Sequence, residues 1–253
     1  ARYRASGDGA HGSAALLLGC VMEGLFTETN RATARVLTRN GYAMSAAPGQ
    51  RCCGALHAHA GDLESARRLA KRNIVAFERS GPGYIVTNSA GCGAMMKEYG
   101  HLLSGDALWS ERANEFSTRV RDAVELLAAV GPLSGGVIPF TVAYDAPCHL
   151  QHAQRIIEAP IAVLQAIPGV QLVPLDESDQ CCGSAGIYNL LEPATSEVVL
   201  ERKLDRIGAS HATLVATGNP GCLMQIGAGL LRADMRARVV HPLDLLDASY
   251  AAD

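Results

Sequence analysis

Short apolar runs of buried-strand type alternate with amphipathic stretches along the whole chain. Ala14–Leu18 is the first run and ends at Gly19-Cys20; an unbroken apolar run of this length predicts a buried strand. A helix over Thr29–Arg39 follows and stops at Gly41, a common residue just past a helix end. Tyr42–Ala46 predicts a short strand leading into the loop Cys52-Cys53-Gly54. Asp62 is placed to cap a helix running to Glu78, with Leu63, Ala66, Leu69, Ala70, Ile74 and Phe77 at helical spacing. Tyr84–Thr87 predicts another strand, and Gly91-Cys92-Gly93 opens a helix through Ala94–Leu103. Further on, strands are expected at Thr141–Tyr144, Val170–Val173, Thr213–Ala216 and Arg238–His241. Helices are expected at Ile156–Ala166, Ala194–Ile207 and Leu223–Ala233. Ala107–Val130 predicts one long bridging helix, and Pro132–Pro139 a linker.

The order of these elements repeats, and so do the cysteines. Cys20, Cys52, Cys53 and Cys92 are followed by Cys148, Cys181, Cys182 and Cys222 at offsets of 128, 129, 129 and 130 residues. Cys52-Cys53-Gly54 matches Cys181-Cys182-Gly183, and the strand running into Gly91-Cys92 matches the one running into Gly221-Cys222. Four matched spacings in matched surroundings indicate a duplication. The expected fold is therefore α/β: two tandem, pseudo-symmetric βα repeats with mainly parallel sheets. Residues 14–131 form the first repeat with its bridging helix, 140–247 the second, and 1–13 a polar, Gly-rich linker from an upstream region.

Composition narrows the function. With 48% hydrophobic residues over 253 positions the chain can bury a core without disulfide staples. A formal charge of −3 and few aromatic residues give no footing for nucleic acid. No apolar run approaches the roughly 18 residues of a membrane span. Nothing at the amino end resembles a secretory signal, so a cytoplasmic site with reduced thiols is expected. No Ser-His-Asp set, phosphate-binding Gly-rich loop or dinucleotide fingerprint is present, and substrate turnover by this chain alone is not expected.

All eight cysteines fall in loops at the carboxyl ends of predicted strands, the edge where α/β sheets bind ligands. Cys92 and Cys222 also fall at helix starts, where free N–H groups favour thiolate over thiol. Flanking glycines let backbone amides approach an anionic centre. Four thiolates per half match the four ligands of a cubane iron–sulfur cluster, and equally a tetrahedral zinc site. Core filling is the bland alternative, and a dithiol-exchange pair another. His149, next to Cys148, is a candidate hydrogen-bond partner for a cluster sulfur, and His57 and His59 are candidates near the first doublet. Lys97 could offset cluster charge or simply face solvent. Met95 and Met96 read as core fillers. Arg67, Arg68, Lys71 and Arg72 form a basic helix face, solvated or offered to an acidic partner.

At these residues the chain resembles the cysteine-rich CCG family, and within it the glycolate oxidase iron–sulfur subunits. The resemblance rests on Arg51-Cys-Cys-Gly-Ala-Leu-His57, Ser89-Ala-Gly-Cys-Gly-Ala94, Lys97-Glu-Tyr-Gly100, Leu150-Gln-His-Ala-Gln154 and Cys181-Cys-Gly-Ser-Ala-Gly186, and covers nearly all of Leu16–Leu246. It implies one [4Fe-4S] cluster per repeat and electron transfer from an FAD-containing 2-hydroxy-acid dehydrogenase subunit to an acceptor such as the quinone pool. Such a chain would sit peripherally, through partners, at the inner face of the membrane. Two departures stand out. Members with non-cubane clusters end each repeat in Cys-x-x-Cys, whereas Ser89 and Asn219 occupy the first of those positions here. The ferredoxin-like module that normally precedes such subunits is also absent here, as expected of a fragment; a lactate-type protein, in which this domain stands nearly alone, is the alternative.

Overall fold

A computed structural model describes residues 9–253. The expected linker over residues 1–13 lies largely outside the described residues. The chain divides into two compact units between Val130 and Gly131.

The first unit runs β1 (Ser13–Leu16), α1 (Val21–Leu25), α2 (Thr27–Arg39), β2 (Ala43–Ala46), α3 (Ala55–His59), α4 (Leu63–Ser80), β3 (Tyr84–Thr87), α5 (Ala90–Lys97), α6 (Tyr99–Leu102), α7 (Ser110–Arg119), β4 (Val120–Asp122) and α8 (Ala123–Val130). Its sheet is parallel throughout, in the order β2-β1-β3-β4. Ala14, Ala15 and Leu16 are fully buried, as a strand covered by helices on both faces requires. Asp62 caps α4 through Oδ1, which accepts the Ser65 N–H at 3.0 Å. The inward stripe of that helix is Ala66, Ala70, Ile74 and Phe77, a spacing of four, four and three residues. Phe77 and Tyr99 pack on Phe116, with ring centroids 5.8 and 5.2 Å away, and anchor the core on this side of the sheet.

The second unit runs β5 (Thr141–Tyr144), a π-helical turn (His149–Ala153), α9 (Glu158–Gln165), β6 (Gln171–Val173), α10 (Tyr188–Leu191), α11 (Pro193–Ser210), β7 (Leu214–Ala216), α12 (Pro220–Arg232), β8 (Arg238–Val240) and α13 (Pro242–Ala251). Its sheet is again parallel, in the order β6-β5-β7-β8. α4 and α11 are both 18 residues long and offset by 130 positions. Segment 132–139 holds no helix or strand; it is tied to α13 by Gly136 N–H to Ser249 O at 2.8 Å and by Ser249 Oγ to Gly136 O at 2.7 Å.

Two expectations need correction. Ala107–Val130 is not one helix. α7 stops at Arg119, and Val120, Arg121 and Asp122 pair in parallel with Ile85, Val86 and Thr87, giving the first sheet a fourth strand. Asp122 then starts α8 with a capping box: its Oδ1 accepts the Val124 N–H at 3.1 Å, and Glu125 Oε2 accepts the Asp122 N–H at 2.8 Å. The helix expected at Ala94–Leu103 is two pieces, begins at Ala90 and breaks at Glu98. No helix among the described residues is long and apolar enough to cross a membrane.

Candidate metal centres

The strand order brings the cysteine loops together. In each unit the central strand and its two neighbours each feed one loop from their carboxyl ends, so three adjacent loops share one sheet edge. β1 leads to Cys20, β2 to the Cys52-Cys53 doublet and β3 to Cys92; β5, β6 and β7 do the same for Cys148, Cys181-Cys182 and Cys222. All eight are free thiols, with Cys53, Cys182 and Cys222 buried and Cys20 exposed.

Each quartet is continuous. Cys20 Sγ lies 3.4 Å from Cys52 Sγ, and Cys53 Sγ lies 3.3 Å from Cys92 Sγ, while Cys52 and Cys53 interact with each other. In the second unit Cys182 Sγ lies 3.3 Å from Cys222 Sγ, and Cys181 bridges Cys148 and Cys182. Sharing of hydrogen bonds splits the thiol acidities. Bonds from Cys20 and Cys148 hold Cys52 and Cys181 far below the ordinary thiol value, and donation of those bonds pushes Cys20 and Cys148 up. Cys53 and Cys182 are raised as donors to the same two sulfurs, with burial adding to the rise.

Backbone and side-chain donors surround the sulfurs. Gly54 N–H reaches Cys52 Sγ at 3.5 Å, Ala55 N–H reaches Cys53 Sγ at 3.5 Å, and Gly183 N–H reaches Cys181 Sγ at 3.3 Å. These amides face the sulfurs because the glycine after each doublet has φ +90, a conformation only glycine adopts without strain. There is also no room for a side chain: a Cβ on Gly183 would stand 2.5 Å from Ser196 O, and one on Gly54 3.2 Å from Ala66 Cα. The doublet's carbonyls are held away from the sulfurs in the first unit. Asn73 Nδ2 donates to Cys52 O at 3.0 Å, Tyr99 Oη to Cys53 O at 2.7 Å, and Asn73 Oδ1 accepts the Arg51 N–H at 2.7 Å.

Ser89 and Asn219, which stand where a fifth cysteine would be, turn out to be sulfur donors. Ser89 hydrogen-bonds Cys92 and lowers its pKa further, after the larger effect of Cys53. Asn219 Nδ2 lies 3.6 Å from Cys222 Sγ. Sequence reasoning treated both as missing ligands. Their place one helical turn before a cysteine, as N-caps of α5 and α12, was the available signal.

The other candidates separate clearly. His57 is half-buried next to Cys52, lowers that thiol's pKa, and has a buried Nδ1 with no hydrogen-bond partner among the described residues. His59 is exposed at the end of α3. The His149 backbone amide bonds the Cys148 sulfur. Lys97 is half-buried, and its Nζ pairs with Glu125 Oε2 at 3.0 Å. Met96 is buried and Met95 packs against the same core cluster.

Among the described residues, no set of three or more His, Cys, Asp or Glu side chains already encloses a single metal ion. The donor chemistry nevertheless fits a thiolate-bound centre. Four sulfurs in each unit form one chain of contacts with amide and hydroxyl donors on them, and His57 and Tyr99 in the first unit and Asp145 in the second stand beside them. Thiol contacts of 3.3–3.4 Å are slightly tighter than the roughly 3.8 Å between sulfurs on tetrahedral zinc, and would open on metal binding.

Comparison with known proteins agrees with this architecture. The cysteine-rich domain family CCG matches residues 14–97 and 142–227, one match in each unit. The "Probable glycolate oxidase iron-sulfur subunit" of Bacillus subtilis (strain 168) is 38% identical over 237 residues, 92% of this chain and 53% of that protein. The chain thus spans about half the length of that relative. "Lactate utilization protein A" of Geobacillus thermodenitrificans (strain NG80-2) is 30% identical over 234 residues, covering 92% of this chain and 97% of its own. The namesake from Geobacillus kaustophilus (strain HTA426) is 29% identical over 235 residues, with coverage of 92% and 98%. A family match in both units, on the segments that carry all eight thiols, makes this chain a member of the CCG cysteine-rich domain family.

Proposed function

We propose that the chain is the thiolate-bearing electron-transfer part of a flavin-dependent 2-hydroxy-acid dehydrogenase of the glycolate type. Residues 14–131 and 140–247 act as its two repeats. Cys20, Cys52, Cys53 and Cys92 hold one [4Fe-4S] cluster, and Cys148, Cys181, Cys182 and Cys222 hold the second. The observation that carries this reading is the duplicated thiol quartet at a sheet edge, with N–H and O–H donors turned toward its sulfurs. Relatives named as a glycolate oxidase iron-sulfur subunit and as lactate utilization proteins support it. When bound, such a cluster supplies one-electron transfer at a potential set by hydrogen bonds to sulfur and by burial.

The chain's own residues do the positioning. Asn73 and Tyr99 pin the first doublet's carbonyls, which leaves the following amides free to face the thiolates. Ser89, Asn219 and those amides stabilise negative charge on sulfur and favour the reduced state. The donor is an FAD-containing subunit, the onward acceptor lies on the quinone side, and the chain sits at the inner membrane face through these partners. A second reading is a zinc-bound scaffold that assembles the same complex. It draws on the short sulfur separations, which lie nearer the zinc value.

Iron, sulfide and zinc analysis of anaerobically purified protein decides between them. Iron and sulfide, with absorbance near about 400 nm that bleaches on dithionite, supports clusters. Stoichiometric zinc in colourless protein supports the scaffold. Rapid bleaching by glycolate- or lactate-reduced flavoprotein then tests the donor; clusters that dithionite reduces but the reduced flavoprotein leaves oxidised would reject it.

A further inference from the structure

The first unit carries a strongly cationic cleft that the thiol chemistry does not use. It measures about 760 Å³, and its lining includes Arg51, Arg67, Arg68, Lys71, Arg72 and Arg79 against one carboxylate, Glu64. Trp109 closes one side, with Lys71 Nζ 5.5 Å and Arg112 Cζ 4.2 Å from its ring centroid. The whole chain has a formal charge of −3, so this is a local reversal of sign.

Much of that charge is uncompensated. Lys71 is paired with Asp106 at 2.6 Å, and Arg68 lies 3.9 Å from Glu64. Arg67 donates to the Leu102 carbonyl, which leaves its charge unneutralised. Arg51, Arg72 and Arg79 are exposed and have no carboxylate partner among the described residues. From Arg67 to Arg79 the helix advances about 18 Å, at about 1.5 Å per residue. A small anion needs donors converging on one point, and these are spread along a helix; the one half-buried cation, Lys71, is already taken. A protein surface bearing several carboxylates matches the spacing. A lipid surface fits less well, because the opposite face of α4 (Ala66, Ala70, Ile74, Phe77) is buried in the core and offers nothing to insert.

The cleft also borders the loop that leads into the first cysteine doublet. Arg51 lines it and is followed directly by Cys52; Asn73, on the helix that carries the charges, bonds both Arg51 N–H and Cys52 O. We propose that this cleft is the docking surface for an acidic protein that exchanges electrons with the centre at Cys20, Cys52, Cys53 and Cys92. The inference rests on the electron-transfer reading above. Opposite charges would steer encounter and speed association, an effect that salt screens.

The test uses metal-loaded protein and flavodoxin, a small acidic FMN protein, as probe. Affinity for oxidised flavodoxin is measured at about 20 and about 200 mM salt. Three proteins are compared: wild type, the triple variant Arg67→Glu/Arg72→Glu/Arg79→Glu, and the matching Arg→Lys triple. Wild type should bind and weaken about tenfold as salt rises. The Glu triple should lose about tenfold or more at low salt, with a flattened salt dependence and an unchanged melting temperature, while the Lys triple keeps most of the affinity. No binding by wild type, equal binding by the Glu triple, or charge-dependent binding only to phosphatidylglycerol vesicles or inorganic pyrophosphate would overturn the proposal. Reduced flavodoxin separates the two readings: its anionic hydroquinone becomes the neutral semiquinone as one electron passes to the centre. Docking without that transfer, in protein that dithionite does reduce, counts against the electron-transfer reading alone. Transfer equally fast in the Glu triple counts against the docking surface alone.

Discussion

Lys203 Nζ lies 2.9 Å from Asp145 Oδ1, with both side chains buried at 1% and 2% exposure, in the second unit only. Asp145 directly follows β5, and Thr217 Oγ1 donates to its other oxygen at 3.0 Å. Lys203 also donates to the carbonyls of Glu177 (2.9 Å) and Ser178 (3.2 Å), in the loop that leads to Cys181. The pair therefore straps together two of the three thiol-bearing loops. The equivalent positions in the first unit are Leu17, Asn73 and Thr87, and the buried Thr87 hydroxyl has no partner among the described residues. Burial raises the pKa of Asp145 and the Lys203 charge pulls it back.

Breaking that pair from one side should be costly. Lys203→Met leaves a buried carboxylate unpaired and should destabilise the second unit by about 3–5 kcal/mol. Asp145→Leu/Lys203→Asn installs the residues of the first unit and should recover most of that loss, since replacing both partners removes the stranded charge. Urea unfolding of the three proteins checks this. A double variant as unstable as Lys203→Met would mean the pair does more than satisfy itself.

Much of this arrangement could be read from the residues alone, because repetition and apolar runs report on long elements. The 128–130 residue offsets mark the duplication, and the apolar runs and helical spacing mark every strand but β4, along with α4 and α11. What escaped was short. β4 is three residues long, with no room for a period, and its flanking helices supply continuous helical pattern. The Asp122-x-x-Glu125 capping box marks the break, but the helical pattern that runs on at both sides masks it. The strap at Lys203 was illegible for another reason: a lysine in an amphipathic helix reads as solvated, and only the packed fold places Asp145 beneath it. Ser89 and Asn219 were seen as absences because pattern matching registers a lost ligand and not a gained hydrogen bond.

The two quartets should be separable by mutation. Cys53→Ser and Cys182→Ser each remove one sulfur from one unit, and loss of one thiolate from a four-thiolate site labilises the whole cluster. If each unit supplies its own four ligands, as proposed above, each variant should keep about half of the wild-type iron. Full iron in either variant would mean that cysteine is no ligand, and loss of all iron would mean the quartets are not independent.

The doublet glycines should differ in their tolerance of alanine. Both have φ +90, but the Cβ on Gly183 meets a backbone carbonyl at 2.5 Å while that on Gly54 meets Ala66 Cα at 3.2 Å. Gly183→Ala must shift α11 or the loop and should cost about 2–4 kcal/mol, against about 1–2 kcal/mol for Gly54→Ala. Metal analysis should show a larger loss in Gly183→Ala. Equal melting temperatures and equal metal content would contradict the packing argument.

Asp122 gives the first unit a pH dependence with a definite sign. Its carboxyl is buried, and desolvation raises it to about 7, with the nearby Glu125 adding to the rise and Lys97 and the Val124 amide opposing it. In the unfolded chain the group titrates near about 3.9. Between those values the folded protein holds a proton that the unfolded chain has released, so stability falls as pH rises through the window and levels off above about 7. Asn at this position keeps an oxygen for the Val124 N–H and removes the charge. Asp122→Asn should therefore gain on wild type between pH 5 and pH 8, by roughly 2–4 kcal/mol on the scale of about 1.4 kcal/mol per unit. Urea unfolding of both proteins at the two pH values measures the difference. A constant gap between them would show that Asp122 is ionised in the folded protein throughout.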